Sequence, residues 1–167
     1  MSKSVAVTGA AGFIGRWVVA ELLDRGHTVY GLDNFSNGSE RNIKSFRDDD
    51  DFHIDEGDVR SREDVDRLFK ENVYACIHLA AEIDVQESLD DPQSHFDSNV
   101  IGTQNILEAC RRTDTRLSLM GTCMVYDMVD SEGGIDENHP SKPASPYAGS
   151  KLAAEDLRLH LQIERNR

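Results

Sequence analysis

Long hydrophobic runs are missing from this 167-residue chain. No stretch approaches the roughly 18 apolar residues that a transmembrane helix needs. Nor does the chain open on the basic and then apolar pattern that is typical of a secretory signal. We therefore expect a cytoplasmic protein that has no membrane partner.

Positive charge is also scarce. Lys and Arg together number 18 against 31 Asp and Glu, which gives a formal net charge of −13. Proteins that bind nucleic acids or anionic membranes need clustered basic side chains for the phosphate groups. The composition therefore predicts that nucleic acid is not a partner.

Cysteine is rare as well. Cys76, Cys110 and Cys123 are odd in number and lack the spacing of a disulfide framework or of a metal site. The six histidines show no paired spacing on one predicted face. We expect reduced thiols and no metal.

What the chain does contain is a regular alternation of strand and helix patterns. Its length suits one domain with a hydrophobic core. Short apolar runs predict five strands, at residues 4–8, 28–33, 52–55, 74–79 and 115–120. Helices are predicted at residues 13–25, 61–71, 92–112 and from 145 onwards. This alternation predicts an α/β fold with a doubly wound parallel sheet, the Rossmann fold.

A glycine-rich turn, Thr8-Gly9-Ala10-Ala11-Gly12-Phe13-Ile14-Gly15, connects the first predicted strand to the first helix. Glycines let the backbone approach a phosphate without a Cβ, and a helix N-terminus offers N–H groups that have no partner. Asp33 ends the second strand about twenty residues later, where a carboxylate can accept hydrogen bonds from an adenosine ribose. We interpret the two features as a dinucleotide site. An ordinary structural turn is the alternative, and the placement of Asp33 argues against it.

The same residues favour NAD over NADP. The Asp33 carboxylate would repel a 2′-phosphate, and no Lys or Arg lies between Asp33 and Arg41 to accommodate that group.

A second motif lies near the end of the chain, where Tyr147 and Lys151 are four residues apart and share one helical face. A Lys cation favours phenolate and lowers the pKa of a tyrosine from about 10 towards the working pH. Taken alone, the pair is more typical of an ordinary helix surface than of a catalytic site. Combined with the dinucleotide site, it predicts that Tyr147 acts as a base.

With these motifs the chain resembles the extended short-chain dehydrogenase/reductase family, and within it the NAD-dependent nucleotide-sugar epimerases and dehydratases. The resemblance runs through nearly the whole chain. The further matching segments are Asp33-Asn34, Ser36-Asn37-Gly38, Gly57-Asp58-Val59-Arg60, His78-Leu79-Ala80-Ala81, Asn99 and Thr122.

The resemblance implies that Asp58 and Val59 contact the adenine and that Asn99 supports the fold and the active site. Together with the glycine turn and Asp33, the expected NAD-binding residues are Gly9, Gly12, Phe13, Ile14, Gly15, Asp33, Asn34, Ser36, Asn37, Gly38, Asp58, Val59, Leu79, Ala80, Ala81, Asn99, Tyr147 and Lys151.

The resemblance also implies a catalytic set of Thr122, Tyr147 and Lys151 acting on a nucleotide sugar. In such enzymes the Thr binds the sugar's 4-hydroxyl, the Tyr removes its proton, and the C4 hydride passes to NAD⁺. A transient 4-keto sugar results. Lys151 would also hold the nicotinamide ribose.

The residues after Thr122 favour a UDP-glucose-type 4-epimerase over a dTDP-glucose-type 4,6-dehydratase. The dehydratases usually carry Asp-Glu there, whereas this chain has Cys123 and Met124, and a thioether cannot transfer a proton. Glu82 and Asp127 leave the dehydratase open, because either could bring a carboxylate to the site.

The six-stranded version of this fold needs a further strand after the helix that begins near residue 145. We therefore expect residues 1–167 to be the N-terminal NAD-binding domain of a longer protein, without its C-terminal substrate domain. A five-stranded protein completed by a partner and a non-catalytic NAD-binding module are the alternatives. Residues 127–144 are expected to border the substrate pocket, and the helices at 92–112 and 145–165 to pair in a homodimer.

Overall fold

Five parallel strands form one sheet in the order β3-β2-β1-β4-β5. The computed structural model describes residues 2–127 and 134–165, with side chains through residue 157. The strands are β1 (Ser4–Thr8), β2 (Thr28–Asp33), β3 (Phe52–Glu56), β4 (Ala75–His78) and β5 (Arg116–Leu119). The predicted α/β class and doubly wound parallel sheet are confirmed.

The central strand β1 is buried on both faces, as its continuous apolar run predicts. Ala6 packs into one core with residues of the helices at 62–68 and 103–113. Val5 and Val7 point the other way, into a second core with Val19 and Ile43. The two layers of helices are therefore held to the sheet by alternate side chains of the same strand.

Polar side chains cap the first turn of several helices. Ser61 accepts a hydrogen bond from the amide of Asp64, and Ser145 accepts one from the amide of Ala148. The helices are α1 (Gly15–Asp24), α2 (Glu40–Ile43), α3 (Arg62–Leu68), α4 (Val85–Asp90), α5 (Pro92–Phe96), α6 (Thr103–Thr113) and α7 (Pro146–Arg165), with a π-helical segment (Asp97–Gly102) between α5 and α6 and a 3₁₀ turn (Cys123–Val125) after β5.

Several predicted boundaries were wrong. Helix α1 begins at Gly15 rather than at residue 13, because Phe13 and Ile14 belong to the turn. The strands predicted at 74–79 and 115–120 are shorter at both ends, and β3 is one residue longer than predicted. Helices α2 and α4 were not predicted, since each is too short to carry an apolar period.

The single helix predicted at 92–112 is interrupted by the π-helical segment. Gly102 at its end lies so close to Val59 that a Cβ would stand 2.6 Å from Val59 Cγ2. Such tertiary contacts are invisible to sequence periodicity. Wide turns of this kind are frequent at functional sites.

Backbone contacts hold the glycine-rich turn against the sheet. Gly9 has a φ of 68°, and a Cβ there would stand 2.8 Å from the amide nitrogen of Ala80. A Cβ on Gly15 would overlap the carbonyl oxygen of Gly9. The turn therefore tolerates only glycine at these two positions.

His78, at the end of β4, is a fully buried polar residue of the core. Its Nδ1 lies 2.6 Å from Thr8 Oγ1, and its Nε2 lies 3.0 Å from Thr103 Oγ1. Burial lowers the pKa of His78 from 6.5 to about 3, and the nearby charge of Lys151 acts in the same direction. The imidazole is therefore neutral at physiological pH.

No helix in the described part of the chain is long and apolar enough to span a membrane. Of the stretch 127–144 that was expected to border a substrate pocket, residues 128–133 lie outside the described residues. In its described part, Ser141 pairs in an antiparallel bridge with Tyr126, the residue just before the stretch.

We expect Gly15→Ala to lower the free energy of unfolding by about 2–3 kcal/mol, because its Cβ meets backbone that cannot move aside. Gly149→Ala is the matched control, since nothing lies within 4 Å of its Cβ position in α7. That change should raise stability by up to about 1 kcal/mol. Urea unfolding of both variants is the measurement, and equal stabilities would contradict the packing described for the turn.

The buried His78 makes stability depend on pH. An unfolded histidine takes up a proton near pH 6.5, whereas folded His78 does so only near pH 3. Stability should therefore be lost as the pH falls from 6.5 towards 3, by about 1.4 kcal/mol per pH unit from this group.

The difference in unfolding free energy between the wild type and His78→Gln, followed across that range, isolates the contribution of His78. His53→Gln, at an exposed histidine of β3, is the control and should keep the wild-type slope. If the unfolding free energy of His78→Gln depends on pH as steeply as that of the wild type, His78 does not contribute to the pH dependence.

Candidate functional site

A cavity of about 270 Å³ opens at the carboxyl edge of the sheet, where the ends of β2 and β4 meet the glycine turn. Ligands bind at this edge in doubly wound sheets, beside the point where the strand order reverses. Here that point lies between β1 and β4. All the residues predicted to bind NAD line the cavity except Asn99, Tyr147 and Lys151.

Asp33 is fixed in this cavity by the turn itself. Its Oδ2 accepts a hydrogen bond of 2.8 Å from the amide of Ala11, and its Oδ1 accepts one of 2.8 Å from the amide of Phe35. A Cβ on Gly38 would stand 2.6 Å from Asp33 Oδ1, so the loop also closes on the carboxylate. Each oxygen keeps a second lone pair that can accept from a ligand hydroxyl.

Backbone donors face the same cavity from the turn. Within the described part of the chain, the amide N–H groups of Phe13 and Ile14 form no hydrogen bond. They precede α1, so the positive end of that helix adds to their attraction for an anion. The turn can therefore hold a phosphate group.

Asp58 forms the far wall of the cavity. Burial raises the pKa of this carboxyl, but hydrogen bonds from the Arg60 guanidinium and amide and from Asn34 outweigh it and hold the pKa below the usual value. Arg60 Nη2 lies 2.6 Å from Asp58 Oδ2, and Asn34 Nδ2 lies 3.1 Å from the same atom. The carboxylate is thus ionised and oriented before any ligand arrives.

Asn99 lies beneath the cavity and is fully buried. Its Oδ1 accepts from the amide of Glu82, and its Nδ2 donates to the Glu82 carbonyl and to Ser150 Oγ, each over 2.9 Å. Ser150 Oγ in turn donates to the Tyr147 carbonyl over 2.7 Å. Asn99 therefore joins the cavity floor to the start of α7 and does not contact the cavity itself.

Tyr147 and Lys151 lie on the first turns of α7 and are both buried. Burial lowers the pKa of the Lys151 ammonium, and the negative charge of Glu155 partly opposes this. The ring of His95 packs edge-on against that of Tyr147, with 6.4 Å between the ring centres. A buried phenol and a buried ammonium on one helical face suit proton transfer.

Thr122 caps the 3₁₀ turn that packs against α7. Its Oγ1 accepts a hydrogen bond of 3.3 Å from the amide of Met124. Cys123 and Met124 are exposed, which places both side chains at the surface beside Thr122.

Six residues line the cavity that were not among the predicted NAD-binding residues. They are Leu32, Gly57, Glu82, Ile83, Ser98 and Met120. Leu32 and Met120 could have been found, because they belong to or follow strands that end at this edge. Ser98 carries no local signal, since the π-helical segment decides which way it faces.

Glu82 brings a carboxylate to the cavity mouth, where its Oε2 accepts a hydrogen bond of 3.3 Å from Asn37 Nδ2. No group of three or more His, Cys, Asp or Glu side chains in the described ranges could hold a metal ion. The polar groups at the site are therefore carboxylates, amides and hydroxyls around a phosphate-binding turn.

Comparison with known proteins agrees with this geometry. Residues 5–164 match the model of the NAD dependent epimerase/dehydratase family. UDP-glucose 4-epimerase of Mycolicibacterium smegmatis is 37% identical over 168 residues, an alignment that covers 96% of this chain and 50% of that protein.

Two solved structures are similar in fold and in sequence. Pal from Bacillus thuringiensis superposes with a TM-score of 0.91 at 46% identity, covering 94% of this chain and 51% of that one. UDP-glucose 4-epimerase from Thermus thermophilus, solved with NAD, gives a TM-score of 0.86 at 37% identity, covering 95% of this chain and 51% of that one.

The chain spans about half the length of these relatives. The family match extends over almost all of its residues, from the glycine turn through Tyr147 and Lys151. The chain therefore belongs to the NAD-dependent epimerase/dehydratase family.

Proposed function

We propose that the cavity binds NAD and that the chain is the dinucleotide-binding part of a nucleotide-sugar 4-epimerase of the UDP-glucose type. The observation that carries this proposal is the meeting of Asp33, the glycine turn and the unpaired N–H groups of Phe13 and Ile14 around one cavity. An acceptor for ribose hydroxyls and donors for phosphate therefore line one cavity, as the binding of a dinucleotide requires.

The residues present fit NAD rather than NADP. Asp33 and Asp58 both line the cavity, and a 2′-phosphate would meet the Asp33 charge. Arg60 contacts this wall, but its guanidinium forms an ion pair with Asp58. No free positive charge is thus aimed at the ribose from the described lining of the cavity.

Bound NAD⁺ would supply a hydride acceptor for C4 of the sugar. The proposed role of the protein's own residues is to remove the proton from the C4 hydroxyl. Thr122 would hold that hydroxyl, and Tyr147 would take its proton, with the ammonium of Lys151 favouring the phenolate. Burial lowers the pKa of Lys151, so its ammonium lies in a poorly solvated place.

A 4,6-dehydratase is the second candidate within the same family, and Glu82 is the feature that would favour it. Its carboxylate, however, is held by Asn37 at the cavity mouth. The two positions after Thr122 offer a thiol and a thioether, neither of which is a ready acid at neutral pH. These observations support the epimerase.

The remaining expectations belong to the whole protein. Four of them stay predictions. They are that residues 1–167 are the NAD-binding portion of a longer chain, that the substrate is a nucleotide sugar, that the protein forms a homodimer, and that it is cytoplasmic. A non-catalytic NAD-binding module is the other class, and a chain that binds NAD without turning over any sugar would support it.

We expect Asp33→Asn to weaken NAD binding by about tenfold, because the variant loses a charged acceptor for the ribose. Its affinity for NADP should not fall, since repulsion of the 2′-phosphate is removed. Calorimetric titration with both dinucleotides measures the ratio, with Asp55→Asn on β3 as an exposed control. An unchanged ratio in Asp33→Asn would contradict the assignment.

In the full-length protein, Tyr147→Phe should lower the conversion of UDP-glucose to its C4 epimer by about 10²–10⁴-fold. NAD affinity should stay within a few-fold of the wild type, because the phenol lies outside the cavity lining. Tyr30→Phe on β2 is the control and should keep full turnover.

Product analysis by mass and NMR distinguishes the candidates. A 4-keto-6-deoxy product from the wild type would replace the epimerase by the dehydratase. If the folded wild type binds NAD but converts no nucleotide sugar, the non-catalytic NAD-binding module is the remaining interpretation.

A further inference from the structure

A buried chain of hydrogen bonds runs from the glycine turn to the helix that carries Tyr147. It begins at Thr8, the last residue of β1, and passes through His78 and Thr103 to Asn99. Thr8, His78, Thr103 and Asn99 are all buried, with at most 2% of any of them exposed. The proposed function uses the cavity and Tyr147, which this chain joins, but none of its four buried residues.

The direction of every bond in the first half can be assigned from its neighbours. Thr103 Oγ1 donates to the Asn99 carbonyl over 2.6 Å, because a carbonyl can only accept. Its oxygen must then accept from His78, which places the imidazole proton on Nε2. Nδ1 of the neutral ring is left as an acceptor and takes the hydroxyl proton of Thr8.

Thr8 in turn holds the wall of the cavity. Its Oγ1 accepts hydrogen bonds of 3.2 Å from the amides of both Leu79 and Ala80. These are residues of the cavity lining, and Ala80 is also the residue against which Gly9 packs. One end of the chain therefore fixes the strand end that borders the bound dinucleotide.

The other end reaches Tyr147. The Asn99 carbonyl accepts a hydrogen bond from the Thr103 hydroxyl, and the Asn99 side chain donates one to Ser150 Oγ. Ser150 Oγ in turn donates to the Tyr147 carbonyl. All donors and acceptors of this path are matched. An imidazole suits its centre, because it is rigid and carries a donor and an acceptor at opposite edges.

We propose that His78 is a positioning residue of the reaction, which sets Tyr147 relative to the cofactor cavity through Thr103 and Asn99. The proposal rests on the proposed function, since it takes the cavity and Tyr147 to be parts of one reactive site. Proton and hydride transfer need their groups aligned to a fraction of an ångström, and a fully satisfied buried network supplies that rigidity.

Thr103→Val breaks the chain at its centre and keeps the size of the side chain, whereas Thr103→Ser keeps the hydroxyl and is the matched control. The readout is the ring signal of Tyr147, followed by NMR of ¹³C-labelled tyrosine with and without NAD. The chain has four tyrosines, so Tyr147→Phe identifies the signal.

In folded Thr103→Val we expect the change that NAD causes in the Tyr147 ring signal to be lost, because α7 is no longer joined through Asn99 to the strand end that lines the cavity. Thr103→Ser should restore the wild-type change. The full wild-type change in a folded Thr103→Val chain would overturn the proposal.

A second measurement needs no variant and no cofactor. In ¹⁵N NMR of the wild-type chain, His78 should carry its proton on Nε2 and stay neutral between pH 5 and 8. A proton on Nδ1, or an imidazolium in that range, would overturn the proposal even if Thr103→Val failed to fold. Absence of NAD binding would sink the proposed function but leave these ¹⁵N readings of His78 intact.

Discussion

The contact of the glycine turn with the backbone around it is the constraint on which the rest of the site depends. Gly9 faces the amide of Ala80, and Gly15 faces the carbonyl of Gly9, with no room for a Cβ at either place. Because backbone cannot rotate away as a side chain can, the turn has one way to pack. That packing brings the start of α1 and the end of β2 to one cavity.

Polar side chains then connect this cavity to the rest of the molecule. Asp33 ties the second strand to the turn through the amide of Ala11, and Asn99 ties the cavity floor to α7 through Ser150. Both residues use hydrogen bonds to backbone or to a hydroxyl that is itself held. A buried group left unpaired would cost about 1–3 kcal/mol, so the complete pairing favours a single arrangement.

The fold, the glycine turn and Asp33 could be predicted because their signals are local. A short apolar run marks each strand, and Asp33 stands at a fixed distance after the glycine turn. The prediction of residues 34–38, of Asp58 and Val59, and of the residues after His78 came from the family resemblance and not from spacing. The π-helical segment, Ser98 and the contact between His78 and Thr103 could not be predicted, because each is decided by packing between distant parts of the chain.

The most direct test of the account is to map NAD onto the chain by the shifts of its backbone amide NMR signals. The account predicts changes at residues 9–15, 33–38, 57–59 and 79–82, at the carboxyl edge of the sheet. Signals of Lys3, Tyr74 and Arg116, which cluster at the opposite edge, should stay unchanged. Changes centred on that opposite edge, or none at saturating NAD, would contradict the assignment of the cavity.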